Sequence, residues 1–241
     1  MKSNAWIMTT LGNKLIPASR AIYWVLGLLL LGSPPVEAQK ESTFGMSAVI
    51  HSKPSFEAGI AFYKSLYGFE KGEKIASVGA GRGLREVVYS MMADSLTLYI
   101  QDINQAALDP ELVTEYAALV YEKAELPVTA SFHLVKGTVE KTNLPKSTFD
   151  KVLLEHSLHE FTQQEKMLLD IRKTMKPGGK LFVWELMAKR PGRKHRYCKK
   201  QMITEPELLA LTAKTGFTFV KSVRVFSDVR NGRLYSFALA E

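Results

Sequence analysis

The segment Ile75-Ala76-Ser77-Val78-Gly79-Ala80-Gly81-Arg82-Gly83 constrains this chain more than any other. A short apolar strand, 74–78, runs into glycines at every second position, and a helical pattern follows from Arg85. Glycine lets a backbone turn tightly and approach a ligand with no Cβ in the way. A helix opening after such a bend points free N–H groups and the positive end of its dipole toward it. Asp102 follows 23 residues after Gly79, at the end of the next apolar run. An acid there can accept hydrogen bonds from both hydroxyls of a ribose. Together these features predict a site for an adenosine-bearing cofactor. Counted from Gly79, the sixth position is Leu84, where a dinucleotide-binding turn wants Gly or Ala for close packing around a pyrophosphate. Its bulk argues against a pyrophosphate, and so against a nicotinamide-dependent oxidoreductase.

Around this segment the apolar spacing alternates between strand and helix. Helices are predicted over 55–67, 85–92, 110–124, 163–175 and 205–215, with Gly68, Pro127, Lys-Pro-Gly-Gly and Gly216 as stops. Strands are predicted over 74–78, 95–100, 131–135, 149–154, 180–186, 217–226 and 233–239, the last two meeting at Asn231-Gly232. Such alternation predicts an α/β fold with a mainly parallel sheet covered on both faces. With 46% apolar and 23% charged residues, the chain can fill a core without disulfide staples. It has one cysteine, Cys198, so no intramolecular disulfide can form. Despite its basic neighbours Arg196, Lys199 and Lys200, Cys198 reads as an ordinary loop cysteine.

The formal net charge is +8, and it is local. Lys2, Lys14 and Arg20 stand against Glu37 in residues 1–38, and the stretch 189–200 holds seven Lys and Arg and no acid. The remainder is close to neutral. Residues 21–32, AIYWVLGLLLLG, are apolar throughout, short for a membrane span, preceded by positive charge and followed by Pro34-Pro35 and Val36-Glu37-Ala38. That is the pattern of a signal peptide, or of an anchor if uncut. The expected organisation is 1–38 signal peptide or membrane anchor, 39–54 linker, and 55–241 one domain. The expected location is exported, periplasmic or membrane-anchored.

Five pieces in order resemble the class I S-adenosylmethionine-dependent methyltransferase family over about 56–241. They are SVGAGRG; YIQDIN; Gly137-Thr138 with NLP and FDKVLLEHSLHEF; MKPGGKLFVWE; and TGFTFVKSVRVF with GRLYSFALAE. The resemblance implies a Rossmann-like, seven-stranded, mostly parallel sheet with an antiparallel last strand, preceded here by an N-terminal apolar helix. It implies S-adenosylmethionine lying across the C-terminal ends of strands one to four. By motif, Gly79, Ala80, Gly81 and Gly83 would wrap its amino acid part, Asp102 would hold the ribose, and Ile103 would pack on the adenine. Gly137 and Thr138 would lie on the adenine side, and His156 would face the pocket. Many members carry an acid where this chain has Ser77, and another where it has Thr138; both hydroxyls can still accept hydrogen bonds.

Methyl transfer from a sulfonium needs mainly in-line positioning, and a base only when the acceptor must lose a proton. His156 and His159, in Glu155-His-Ser-Leu-His-Glu160, fall where the acceptor would lie, and either can serve as that base. No metal site is expected: beside His156, His159 and Glu160 no further ligand is evident, and the H-E-x-x-H order is absent. The basic stretch 189–200 suits a small anionic acceptor or lipid headgroups. Nucleic acid is not expected, since only Tyr197 is present for stacking. The expected function is methyl transfer to a small-molecule acceptor, anionic or membrane-associated. The alternative is a non-catalytic exported binding protein on the same fold, favoured by Ser77, Thr138 and the cytosolic origin of the cofactor.

Overall fold

The computed structural model describes residues 53–225 and 232–240. The apolar segment 21–32, almost all of the 39–54 linker, and Asn231 of the closing turn lie outside them. Among the described residues there are five α-helices: α1 (Lys53–Tyr67), α2 (Leu84–Tyr89), α3 (Pro110–Ala124), α4 (Gln164–Thr174) and α5 (Glu205–Lys214). They alternate with β1 (Lys74–Val78), β2 (Thr97–Asp102), β3 (Ser131–Lys136), β4 (Phe149–Glu155), β5 (Met175–Leu186), β6 (Phe217–Arg224) and β7 (Gly232–Leu239). One sheet holds all seven, in the order β3-β2-β1-β4-β5-β7-β6. β1 to β5 pair in parallel, while β7 runs antiparallel to both its neighbours, β5 and β6. The seven-stranded, mostly parallel sheet and its antiparallel last strand are those expected.

Central strands buried on both faces need apolar residues at every position rather than at every second one. β4 shows it: Val152 and Leu154 join the core beneath α4 and α5, while Leu153 joins the aromatic core beneath α1. The first core takes in Leu168, Ile171 and Leu208, the second Tyr63, Tyr67, Tyr89 and Trp184. Helix starts are fixed locally. The Asp109 carboxylate accepts from the N–H groups of Glu111 and Leu112 at the head of α3, and Thr204 and Glu207 form a reciprocal cap on α5. Each such cap contributes about 1 kcal/mol. Among the described residues no helix is long and apolar enough to cross a membrane.

Several boundaries differ from the sequence reading. β2 extends to Asp102, so the acid is the last residue of the strand. α2 stops at Tyr89: the Ser90 hydroxyl donates to the Val87 carbonyl, contacts the Tyr121 hydroxyl, and the chain tightens into turns. β5 begins at Met175, drawing Lys-Pro-Gly-Gly into the strand with a register shift against β4 between Phe149 and Lys151. A Cβ on Gly179 would stand 3.0 Å from the Phe149 carbonyl oxygen, so the glycine permits that close approach.

Candidate cofactor and acceptor site

At the C-terminal edge of β1 the chain bends through Gly79, Gly81 and Gly83, all at positive φ (73°, 59° and 73°). The three glycines answer to different neighbours. A Cβ on Gly79 would stand 2.6 Å from the Ser157 Cβ, and one on Gly83 2.6 Å from Ile100 Cδ1. Those two let the loop lie against the turn after β4 and α2 lie against β2. A Cβ on Gly81 would meet nothing within 4 Å. Gly81 therefore faces open space, where an incoming ligand finds bare backbone. With six residues, α2 offers only a short dipole behind this bend.

The bend is tied to the end of β2. Gly79 and Ala80 donate their N–H groups to the Gln101 carbonyl at 2.9 and 3.0 Å. Gly81 N–H donates to Asp102 Oδ2, and Asn104 N–H to Oδ1, both at 2.8 Å. Each carboxylate oxygen keeps a lone pair in reserve, so the half-buried group is fixed yet able to accept a ribose hydroxyl on either side. Ile103 beside it is 53% exposed, an apolar side chain at the rim where a flat heterocycle could lie. Across the edge, Gly137 N–H donates to the Asp102 carbonyl at 3.0 Å. A Cβ on Gly137 would overlap the Gln101 side chain, so this glycine serves the packing of β3 on β2. The Thr138 hydroxyl oxygen accepts from Glu140 and Lys141 N–H groups and closes its own turn.

Ser77, which stands where an acid is common in the resembled family, is buried and hydrogen-bonded to Glu86. Burial pushes the Glu86 carboxyl up to about 7, and the nearby Glu155 carboxylate adds to the rise. A second acid at position 77 would face a buried carboxyl. Glu155, the last residue of β4, accepts from the hydroxyls of Tyr67 and Tyr89 and pairs with Arg85 at 2.8 Å. This network binds α1, α2 and β4 together directly under the edge that carries the site.

The two histidines named from sequence take different places. His156 adopts φ +53°, donates its backbone N–H to the Trp184 carbonyl at 2.7 Å, and lays its ring against Trp184. Burial holds its pKa below the ordinary value, so it stays neutral at pH 7. His159 lies in the short 3-10 turn Leu158–Glu160. Its Nδ1 is bonded to both oxygens of Glu185 at 3.0 and 2.9 Å, and its Nε2 stands 3.4 Å from Cys198 Sγ. Burial opposes its charged form, but the Glu185 carboxylate outweighs that and raises its pKa. Glu185 at the end of β5 and His195 in the following loop escaped the sequence reading, in which Cys198 is an ordinary loop cysteine. The seven cations of 189–200 are exposed, whereas His195 and Cys198 are half-buried.

A mostly parallel sheet ordered 3-2-1-4-5-7-6, with a glycine bend after β1 and an acid at the end of β2, has the architecture of class I S-adenosylmethionine-dependent methyltransferases. Residues 77–183 match the family model described as a methyltransferase domain. Over 120 residues the chain is 28% identical to the ubiquinone/menaquinone biosynthesis C-methyltransferase of Pasteurella multocida, and 27% to that of an Enterobacter species. The match takes in 49% of this chain, and it spans less than half the length of these curated relatives, 41% and 44%. Among solved structures, an S-adenosylmethionine-dependent methyltransferase from Aquifex aeolicus superposes with a TM-score of 0.58 at 17% identity, over 75% of this chain and 89% of that one. The Burkholderia thailandensis 1,6-didemethyltoxoflavin-N1-methyltransferase, solved with S-adenosylhomocysteine, gives 0.59 at 18% identity, over 98% and 95%. Family match and site together support S-adenosylmethionine as the cofactor. The open backbone at Gly81, the anchored carboxylate of Asp102 and the bare Ile103 side chain fit its amino acid, ribose and adenine parts in turn.

Proposed function

We propose that this protein transfers a methyl group from S-adenosylmethionine to a small-molecule acceptor bound over the C-terminal ends of β4 and β5. The observation that carries the reading is the coupling of Gly81, open to ligand, with the Asp102 carboxylate held in place by its N–H. The bound cofactor supplies an electrophilic methyl on a sulfonium. The chain's own part is positional. Asp102 and the bend orient the cofactor, and His156, seated on the buried Trp184 ring, offers a fixed edge to the acceptor. Where an acceptor must lose a proton, neutral His156 can take it. His159 is less free, with both ring nitrogens engaged. The exposed cations of 189–200 suit an anionic acceptor. The curated relatives are C-methyltransferases of quinone biosynthesis, which makes hydroxylated aromatic rings the first acceptors to try.

Calorimetry of the purified protein with S-adenosylmethionine tests the reading. Saturable binding is expected, and no heat up to about 1 mM cofactor would overturn it. A second reading, cofactor binding without catalysis, is favoured by the Thr138 hydroxyl closing its own turn. Binding with no turnover across a broad acceptor panel would select it. We further propose that residues 1–38 direct the chain to export or to a membrane.

A further inference from the structure

The chain's only cysteine lies in a cluster that methyl transfer does not explain. Cys198 Sγ stands 3.2 Å from His195 Nδ1 and 3.4 Å from His159 Nε2. One donor atom from each of the three residues lies within 4.8 Å of the others. From these positions we propose that His159, His195 and Cys198 bind a divalent transition-metal ion of the zinc class. The site goes beyond the methyltransferase reading and does not depend on it.

Zinc holds sulfur at about 2.3 Å and nitrogen at about 2.0–2.1 Å in a tetrahedron, which puts ligand sulfur and nitrogen about 3.5 Å apart. The observed 3.2 and 3.4 Å are those two edges to within a few tenths of an ångström. Local structure brings the donors there. His195 and Cys198 sit three residues apart on a tight loop closed by His195 N–H to the Lys200 carbonyl (2.8 Å), Met202 N–H to the Arg193 carbonyl (2.8 Å), and pairing of Lys194 with Gln201. His159 comes from the turn after β4, and the Glu185 carboxylate on its Nδ1 fixes the tautomer that leaves Nε2 as the lone-pair donor. A metal-bound histidine characteristically has such a carboxylate behind it.

The rival explanation is a metal-free Cys198-His159-Glu185 arrangement, with His159 as base for a nucleophilic thiol. It leaves His195 without purpose, since one base suffices for one thiol, whereas two imidazoles converging on one sulfur are what an ion requires. Charge decides in the same direction. A cysteine thiolate, Glu185 and Glu160, whose Oε1 lies 3.8 Å from His159 Nε2, offset a dication and the exposed cations of the loop. Three protein ligands leave the fourth position to Glu160, to water or to a soft acceptor atom. The ion would also fasten the basic loop to the sheet edge that bears the methyl-transfer site.

The test uses the full, untagged chain. After incubation with zinc and gel filtration, one zinc per chain is expected by elemental analysis. Replacement by cobalt should give a thiolate-to-cobalt charge-transfer band that Cys198→Ser abolishes. His195→Ala should lose stoichiometric metal, and Glu185→Gln should weaken zinc binding about 10- to 100-fold in a chelator competition. Zinc should also slow alkylation of Cys198 in the native protein. A natively folded chain, by circular dichroism, that stays metal-free at excess zinc while its thiol is alkylated at an unchanged rate would overturn the proposal.

Discussion

Gly81 N–H donates to Asp102 Oδ2 across 2.8 Å, so the bend proposed to receive the cofactor and the acid proposed to grip its sugar are one rigid unit. Removing the carboxylate therefore takes away both a ligand contact and the brace on the bend. Asp102→Ala is expected to weaken S-adenosylmethionine binding by roughly 10- to 100-fold, the scale of a hydrogen bond to a charged group. Calorimetry of variant and parent side by side measures it. Equal affinity would separate Asp102 from cofactor recognition.

The middle and last glycines of the bend should part company under mutation. Gly83→Ala drives a Cβ to within 2.6 Å of Ile100 Cδ1 at a positive φ, and should cost about 1–3 kcal/mol in urea unfolding. A Cβ at Gly81 meets nothing within 4 Å, so Gly81→Asp starts from open space. It should cost only about 1–2 kcal/mol of backbone strain, yet abolish cofactor binding by filling the open bend and setting a negative charge against the cofactor's carboxylate. Equal binding by Gly81→Asp and parent would be fatal to the proposed cofactor position.

Glu86 makes stability depend on pH in an uncommon direction. Its carboxyl is raised from 4.5 to about 7 by burial first, so the folded chain holds this proton more tightly than the unfolded one. The associated stability is complete below about pH 4.5 and is lost as pH climbs toward 7, a fall of a few kcal/mol from this group. Glu86→Gln should flatten that part of the profile and gain stability near neutrality. Denaturant midpoints read at several pH values would decide, and a parallel profile in the variant would remove Glu86 as the cause.

Residues 1–38 can be judged apart from the domain. Fused ahead of a reporter active only after export, they should confer activity, and reversing Lys14 and Arg20 to Glu should reduce it, because positive charge keeps the amino end inside. A reporter confined to the cytosol would exclude export.

Most of the sheet was legible because its signals are local. Strand, glycine bend and acid sit within 28 residues, from Ile75 to Asp102, and Leu153 flanked by Val152 and Leu154 reads as a two-faced buried strand. The extension of β5 back to Met175 was hidden, since Pro177, Gly178 and Gly179 signal a turn while pairing with Phe149 pulls the segment straight. The Cys198 cluster was hidden for a different reason. His159 and His195 lie far apart in sequence, and only the parallel pairing of β4 with β5 carries them to one edge. No periodicity records that meeting.

The insertion of β7 between β5 and β6 has a consequence for biosynthesis. Until Gly232–Leu239 have emerged from the ribosome, β5 has an unpaired margin and β6 has no neighbour at all. Nascent chains arrested before Gly232 should expose that margin to chaperones and to one another, and the sheet should close only once β7 is free of the exit tunnel.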